Sequence, residues 1–116
     1  MAASYQPLTA SAEPVQITRW QGAQHPNLTT IRERLLREHL TPYRWTNGPH
    51  FRHAARSYRT GKVLYCVQGD LTISFPDSGQ EVRLYAGDRL EVAAGVRYAQ
   101  IVGPAGVECL ECDRAR

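Results

Sequence analysis

Residues 62–112 read KVLYCVQGDLTISFPDSGQEVRLYAGDRLEVAAGVRYAQIVGPAGVECLEC, and they carry the clearest structural signal in the chain. Short runs of β-forming residues alternate here with turn signals, which lie at 69–70, 76–79, 86–88, 94–95 and 103–106. Strands at this even spacing, with no helical pattern between them, are typical of an antiparallel sandwich or barrel. The pattern therefore predicts an all-β fold, with strands over 62–68, 71–75, 81–85, 89–92, 96–102 and 107–112.

One helix is predicted upstream of these strands. Thr30 and Glu33 have the spacing of a capping box, and one apolar stripe is formed by Ile31, Leu35, Leu36 and Leu40. The helix is expected to end before Pro42, because the residue that precedes a proline avoids the helical region. The prediction is thus a single N-terminal α-helix over about residues 30–40.

The remaining N-terminal residues give weaker signals. Residues 1–13 are small, polar and proline-bearing, which predicts a loose arm. The alternating run Val15 to Thr18 predicts a strand at the edge of the sheet. A chain of 116 residues can bury one core and little more, so residues 14–116 are expected to form a single domain.

Charge and hydropathy argue against nucleic-acid and membrane partners. The 13 arginines are scattered, and with Lys62, the only lysine, they leave a net charge of +3 without a basic cluster interleaved with aromatics. No segment approaches the roughly 18 apolar residues of a membrane-spanning helix, and the first 20 residues lack a secretory signal. The arginine-rich, lysine-poor usage is typical of a bacterial genome rich in G and C. We therefore expect a cytoplasmic bacterial protein whose partner is a small molecule.

The cysteines indicate neither a disulfide framework nor a zinc site. Cys66, Cys109 and Cys112 are an odd number, which fits a reducing compartment. Cys109 and Cys112 form a C-x-x-C, but they lie in a predicted strand, where residues three apart point to opposite faces. A redox or zinc role is therefore not expected for this pair.

Two glycine-bearing blocks, KVLYCVQGDLTISF and GDRLEVAAGVRYAQIVGP, resemble the two sequence motifs of small single-domain cupins, and the likeness runs over roughly residues 45–112. In the first motif of that family a glutamate stands seven residues before a turn glycine, which is Gly69 here. In the second motif a histidine stands three residues after a glycine, which is Gly95 here. The resemblance implies a double-stranded β-barrel, also called a jelly roll.

The resemblance also points to a pocket with altered chemistry. Metal-binding cupins hold their ion with three histidines and one glutamate, and the four matching positions here are Arg56, Tyr58, Lys62 and Tyr98. Cations and phenols are poor ligands for divalent metals, so no metal and no other cofactor is expected. Arg56 is expected to bind an anionic substrate group, and Tyr58, Lys62 and Tyr98 to act as catalytic groups, with the pKa values of the tyrosines lowered by the cations.

The histidines near the first motif are expected to lie outside the pocket. His50 and His53 point to opposite faces of an extended strand, and His53 is odd-numbered whereas the inward positions 56 and 58 are even. A metal site displaced onto one of these two histidines stays an alternative.

Three functions are consistent with such a barrel. The first is a metal-independent isomerase, lyase or cyclase that acts on a small anionic or polyfunctional molecule through an enolate-like state. The second is a non-catalytic binding or sensing module, and the third is a metal-dependent cupin with displaced ligands. A purely structural interpretation also stays open, in which Arg56 and Lys62 pair with the acidic residues Asp88, Glu91, Glu108 or Glu111. A homodimer that pairs through the edge strand near 15–20 is expected.

Overall fold

The structure, a computed structural model, describes residues 14–114, and in this range the chain forms one helix and seven strands. In chain order these elements are β1 (Val15–Thr18), α1 (Leu28–Arg37), β2 (Tyr43–Asn47), β3 (Arg52–Arg56), β4 (Gly61–Phe75), β5 (Gln80–Tyr85), β6 (Arg89–Val92) and β7 (Tyr98–Arg114). The predicted all-β class with one N-terminal helix is confirmed. The predicted arm at 1–13 lies outside the described residues. No helix within 14–114 has the length and apolar character needed to cross a membrane.

All the strand pairs are antiparallel, and β4 and β7 form the centre of the sheet. The strands follow the order β1-β6-β4-β7-β2, while β5 pairs with β4 and β3 pairs with β7. The first part of β4 pairs with β6 and with the end of β7, whereas its last part pairs with β5 and with the start of β7. The sheet is thus divided into two halves that share the two long strands. The predicted edge strand β1 is confirmed, because it pairs with β6 and stands at one end of the order.

The predicted turns at 69–70 and 103–106 are wrong, because β4 and β7 continue through these residues as unbroken strands. Both strands bend there, and the register between them shifts on either side of Gly69. In β4 the core positions are Leu64 and Cys66 before the shift and Leu71 and Ile73 after it. The change from even to odd positions is the effect of a β-bulge, which adds one residue to a strand. Glycine in the sequence here signals a bend inside a strand rather than the end of one.

Two glycines allow the strands to cross closely at this bend. Gly69 and Gly106 both have positive φ, at 81° and 80°, which non-glycine residues rarely adopt. A Cβ atom on Gly69 would lie 2.0 Å from the carbonyl oxygen of Gly106. The backbones therefore approach to a distance that no side chain permits.

The helix differs from its prediction at both ends. It begins at Leu28 rather than near Thr30, since Asn27 is the N-cap and its side chain accepts a hydrogen bond of 2.9 Å from the Thr30 amide. It ends at Arg37 rather than before Pro42, because His39 takes a left-handed φ of 63°. Of the predicted apolar stripe, Leu36 is exposed instead of packed.

The helix covers the outer face of the sheet. Ile31 and Leu35 are fully buried against a cluster from β4 and β7 that contains Val63, Tyr65, Val67, Leu110 and Cys112. The inward face carries a separate core, to which β4 and β7 also contribute, as strand alternation requires. The barrel interior is thereby kept apart from the helix.

An ionic network joins the end of the helix to the sheet. The Arg89 guanidinium donates to both carboxylate oxygens of Glu38, at 2.7 and 2.8 Å, and also to the Tyr65 hydroxyl at 3.1 Å. Arg89 also donates to Glu91 at 3.0 Å. The hydrogen bond from Arg89 holds the pKa of Glu38 below its ordinary value, in spite of the opposing effect of burial. The ionised carboxylate is thus the form that fastens the helix.

We expect Glu38→Gln to lower the free energy of unfolding by about 1 kcal/mol at pH 7, because it removes a charge-assisted pair that is partly exposed. A carboxylate whose pKa is depressed by folding stabilises the protein above its unfolded pKa of about 4.3 and loses that contribution as the pH falls. Urea unfolding at pH 7 and pH 3 should therefore show a smaller acid loss in Glu38→Gln than in the wild type. Glu33→Gln, on the same helix and exposed, is the control, and an equal acid loss in all three proteins would disprove the assignment.

Candidate functional site

The four residues matched to the cupin ligand positions lie close together. Arg56 on β3 stands opposite Tyr98 on β7. The Tyr58 ring lies between two cations, with the Arg56 guanidinium carbon 5.0 Å and the Lys62 Nζ 4.7 Å from its centroid. The centroids of Tyr58 and Tyr98 are 5.6 Å apart. Tyr98 and Tyr58 also pack against the inward core, so this cluster lies at the barrel mouth.

Lys62 is not free to bind a ligand anion, because two carboxylates already surround it. Its Nζ lies 2.5 Å from Asp113 Oδ1 and 3.4 Å from Glu111 Oε2, and 3.5 Å from the Tyr43 hydroxyl. Burial alone would lower the pKa of Lys62, but the hydrogen bond to Asp113 and the charge of Glu111 outweigh burial and raise it. Arg56 is exposed and makes no ion pair with the described residues. Of the two cations in this cluster, Arg56 alone has no carboxylate partner among the described residues.

Glu111 is a buried carboxylate of the site, and it pairs with Lys62 as the purely structural interpretation allowed, although it was not predicted to be a catalytic or binding residue. Its Oε2 accepts a hydrogen bond of 2.8 Å from the Tyr43 hydroxyl, and its Oε1 accepts one of 2.9 Å from the Trp45 indole N–H. Alternation along β7 from Cys109 places Glu111 on the inward face. The two-residue spacing between Cys109 and Glu111 in a predicted strand could have indicated this position from the sequence. Tyr43 and Trp45 had no such signal, because β2 was not among the predicted strands.

Two tyrosines of the site, Tyr43 and Tyr98, are neutral hydrogen-bond donors. Burial raises the pKa of Tyr98, and the negative charge of Glu111 raises it further. Burial, with the hydrogen bond to Glu111, raises the pKa of Tyr43 to about 12. The expectation that neighbouring cations lower these values is wrong for Tyr98, because the nearby carboxylates and the loss of solvent dominate. Tyr98 therefore suits donation to an oxygen and does not suit proton abstraction.

His53 lies on the inward side of β3, contrary to the prediction from its odd number. It stands opposite Gln100, and a register irregularity between His53 and Arg56 moves both residues to the same face. The His53 Nε2 is 2.7 Å from the Asn47 side-chain nitrogen, and its ring packs edge-on against Trp45 at 5.7 Å. His50 has a positive φ of 63° and lies outside the strands, between β2 and β3.

The residues at the matched positions do not fit a divalent metal. The Lys62 ammonium stands between Glu111 and Asp113, where a second positive charge would be repelled. Within residues 14–114, no three His, Cys, Asp or Glu side chains are grouped so that they could hold one ion. Cys109 belongs to the inward core and Cys112 to the cluster under the helix, which confirms that the C-x-x-C points to opposite faces.

Comparison with known proteins identifies the fold. No family model matches the chain, and no curated protein matches it in sequence. Among solved structures, a cupin superfamily protein from Desulfitobacterium hafniense is 16% identical over 96% of this chain and 90% of its own, with a TM-score of 0.56. A cupin-2 domain protein from Shewanella frigidimarina is 18% identical over 66% and 71%, with a TM-score of 0.55. KdgF from a Halomonas species is 14% identical over 90% and 84%, with a TM-score of 0.56.

Proposed function

We propose that this chain, which has the fold of a small cupin domain, is a metal-independent enzyme that acts on a small carboxylate-bearing molecule at its barrel mouth. The reaction class is an isomerisation, elimination or ring closure that passes through an enolate-like state. The observation that supports it is the grouping of Arg56, Tyr58 and Tyr98 in one cluster, near the buried Glu111 carboxylate whose charge acts on Tyr98.

Arg56 is the residue that binds the substrate anion. Its guanidinium carbon lies 5.0 Å from the centroid of the Tyr58 ring, and its charge is not neutralised by a carboxylate among residues 14–114. A planar guanidinium donates two parallel hydrogen bonds to a carboxylate. The ligand would therefore enter with its carboxylate towards β3 and its reactive carbons towards Tyr98.

Tyr58 and Tyr98 would donate to the oxygen on which negative charge develops. Neither hydroxyl makes a hydrogen bond to another described residue, whereas Tyr43 is committed to Glu111. Donors that are already in place and partly shielded from water stabilise an enolate oxygen better than water does. Lys62 contributes through its positive charge beside Glu111 rather than as a nucleophile.

Proton removal needs a base, and Glu111 is the buried carboxylate on the same inward face of β7 as Tyr98. In the proposed step a C–H bond next to the substrate carbonyl breaks, its proton goes to Glu111, and the electron pair passes to the carbonyl oxygen. Return of the proton to another carbon completes an isomerisation. Loss of a leaving group from the neighbouring carbon gives an elimination instead.

A non-catalytic binding module is the second candidate. It is favoured by the contacts of Glu111, whose two oxygens accept hydrogen bonds from Tyr43 and Trp45 while Lys62 lies 3.4 Å away. Because both oxygens of Glu111 already accept hydrogen bonds, fewer lone pairs are left to take a proton from a substrate. Under this alternative the site would bind carboxylates through Arg56 without turning them over.

Hydrogen exchange at carbon separates the two candidates without knowledge of the natural substrate. Small oxo and hydroxy carboxylates are incubated with the protein in D2O, and loss of the carbon-bound proton signal is followed by NMR. We expect exchange with the wild type, and we expect Tyr98→Phe and Arg56→Ala each to slow it at least about tenfold, because one loses the oxygen donor and the other the anchor.

Matched variants control for general damage to the fold. Tyr85→Phe and Arg52→Ala alter an exposed tyrosine and an exposed arginine outside the cluster, and both should exchange at the wild-type rate. Binding without exchange would favour the second candidate. Exchange that is abolished by a chelator and restored only by a metal ion would contradict the proposal that the enzyme is metal-independent.

A further inference from the structure

Gln100 is a buried polar side chain that the proposed reaction does not use. It is 7% exposed, and its Oε1 atom is buried without a hydrogen-bond partner among the described residues. Alternation along β7 places it on the inward face between Tyr98 and Val102, which both belong to the core of the barrel. Native proteins leave few buried acceptors unpaired, because an unpaired acceptor has lost its hydrogen bonds to water.

The residue that faces Gln100 supplies complementary chemistry. His53 stands directly opposite it on β3. The Asn47 side-chain nitrogen can only donate, so at its contact of 2.7 Å the His53 Nε2 accepts, which leaves Nδ1 as the donor of the ring. An acceptor on Gln100 and a donor on His53 therefore flank the same part of the barrel.

This pair adjoins the carboxylate-binding position. Gln100 and His53 are one inward step along their strands from Tyr98 and Arg56, a spacing of about 7 Å. Between its carboxylate oxygen and its terminal hydroxyl oxygen, an extended hydroxy acid of four or five carbons spans about that distance. The amide of Gln100 turns about its terminal torsion, which is broad, so its oxygen can be directed towards the ligand.

We propose that Gln100 and His53 form a second polar subsite for a hydroxyl group on the same ligand, and that the ligand class is a short-chain hydroxycarboxylate. The hydroxyl donates to Gln100 Oε1 and accepts from His53 Nδ1, while the carboxylate binds Arg56. The subsite rests on the proposed function, because the anchor at Arg56 fixes where the hydroxyl lies.

Matched ligand pairs test the subsite. Binding of γ-hydroxybutyrate is compared with that of butyrate, and δ-hydroxyvalerate with valerate, by NMR titration of the wild type and of Gln100→Met. For at least one pair we expect the hydroxy acid to bind the wild type about fivefold more tightly than its partner. Gln100→Met should abolish this difference and leave the affinity for the unsubstituted acid unchanged. Gln21→Met, at an exposed glutamine in the loop before α1, is the control and should keep the difference.

The outcomes separate the subsite from the anchor. If the wild type binds every hydroxy acid and its partner equally while Arg56→Ala weakens both, the subsite is refuted and the proposed anchor survives. If no carboxylate binds and Arg56→Ala changes nothing, both proposals fail. His53→Phe, at an exposed ring, replaces Gln100→Met if the latter does not fold, and a preserved preference for the hydroxy acid in His53→Phe would also overturn the subsite.

Discussion

Gly69→Ala should strongly destabilise this protein, because the added methyl group would overlap the backbone of β7. The new Cβ would lie 2.0 Å from the Gly106 carbonyl oxygen, which belongs to backbone that cannot move aside, and φ at this position is 81°. Strain of the left-handed conformation and the overlap with β7 act together, so we expect the free energy of unfolding to fall by at least about 3 kcal/mol. The free energy of unfolding is measured by urea denaturation, with circular dichroism as the signal.

Gly79→Ala is the control that separates the effect of the close approach of β4 and β7 on stability from that of the positive φ. Gly79 also has a positive φ, of 74°, but a Cβ there meets no atom within 4 Å. This variant should lose only the conformational preference of glycine, about 1 kcal/mol. If Gly69→Ala and Gly79→Ala lost equal amounts of unfolding free energy, the overlap with β7 at Gly69 would contribute nothing, and this prediction would be wrong.

Lys62→Met should produce the second large effect, by leaving Glu111 buried without its cation. The side chains of Lys62 and Glu111 are each 11% exposed, and Asp113 would lose its partner as well. Removal of one member of a buried pair is costly because the remaining charge stays desolvated, and we expect a loss of about 3 kcal/mol at pH 7. Chemical unfolding of the variant beside the wild type gives this value.

A double variant and a surface pair control this result. Lys62→Met combined with Glu111→Gln should recover part of the loss, since the uncompensated charge is gone. Arg44→Met breaks a pair with Glu108 in which the arginine is half exposed, and it should cost less than about 1 kcal/mol. A double variant no more stable than Lys62→Met alone would count against charge burial as the cause.

The pH dependence of the same variant has a definite sign. Folding raises the pKa of Lys62, so its contribution to stability is complete below the unfolded value of about 10.4 and disappears as the pH rises through the folded value. The stability difference between the wild type and Lys62→Met should therefore be constant from neutral pH to about pH 10 and narrow above it. A difference that narrows on acidification towards pH 6 would contradict this linkage.

The candidate site shows which of its residues local sequence patterns can predict and which they miss. The motif spacing that matched Arg56, Tyr58, Lys62 and Tyr98 to one place selected four residues that do lie together. The same reasoning placed His53 on the wrong face, because a bulge shifts the inward positions and strand alternation can be followed only between bulges. It also left out Tyr43 and Trp45, whose partner Glu111 is more than sixty residues away.

The amino-acid sequence alone determined the class of the fold, the existence of one helix and the chemical types of the four side chains at the matched positions. Each depends on local alternation, turn residues or the chemical type of one side chain. Tertiary structure alone decided that the glycines at 69 and 106 bend continuous strands, that Glu111 and Asp113 neutralise Lys62, and that burial raises the pKa of Tyr98. Long-range strand pairing sets these distances and dielectric surroundings, and neither is a property of neighbours along the chain.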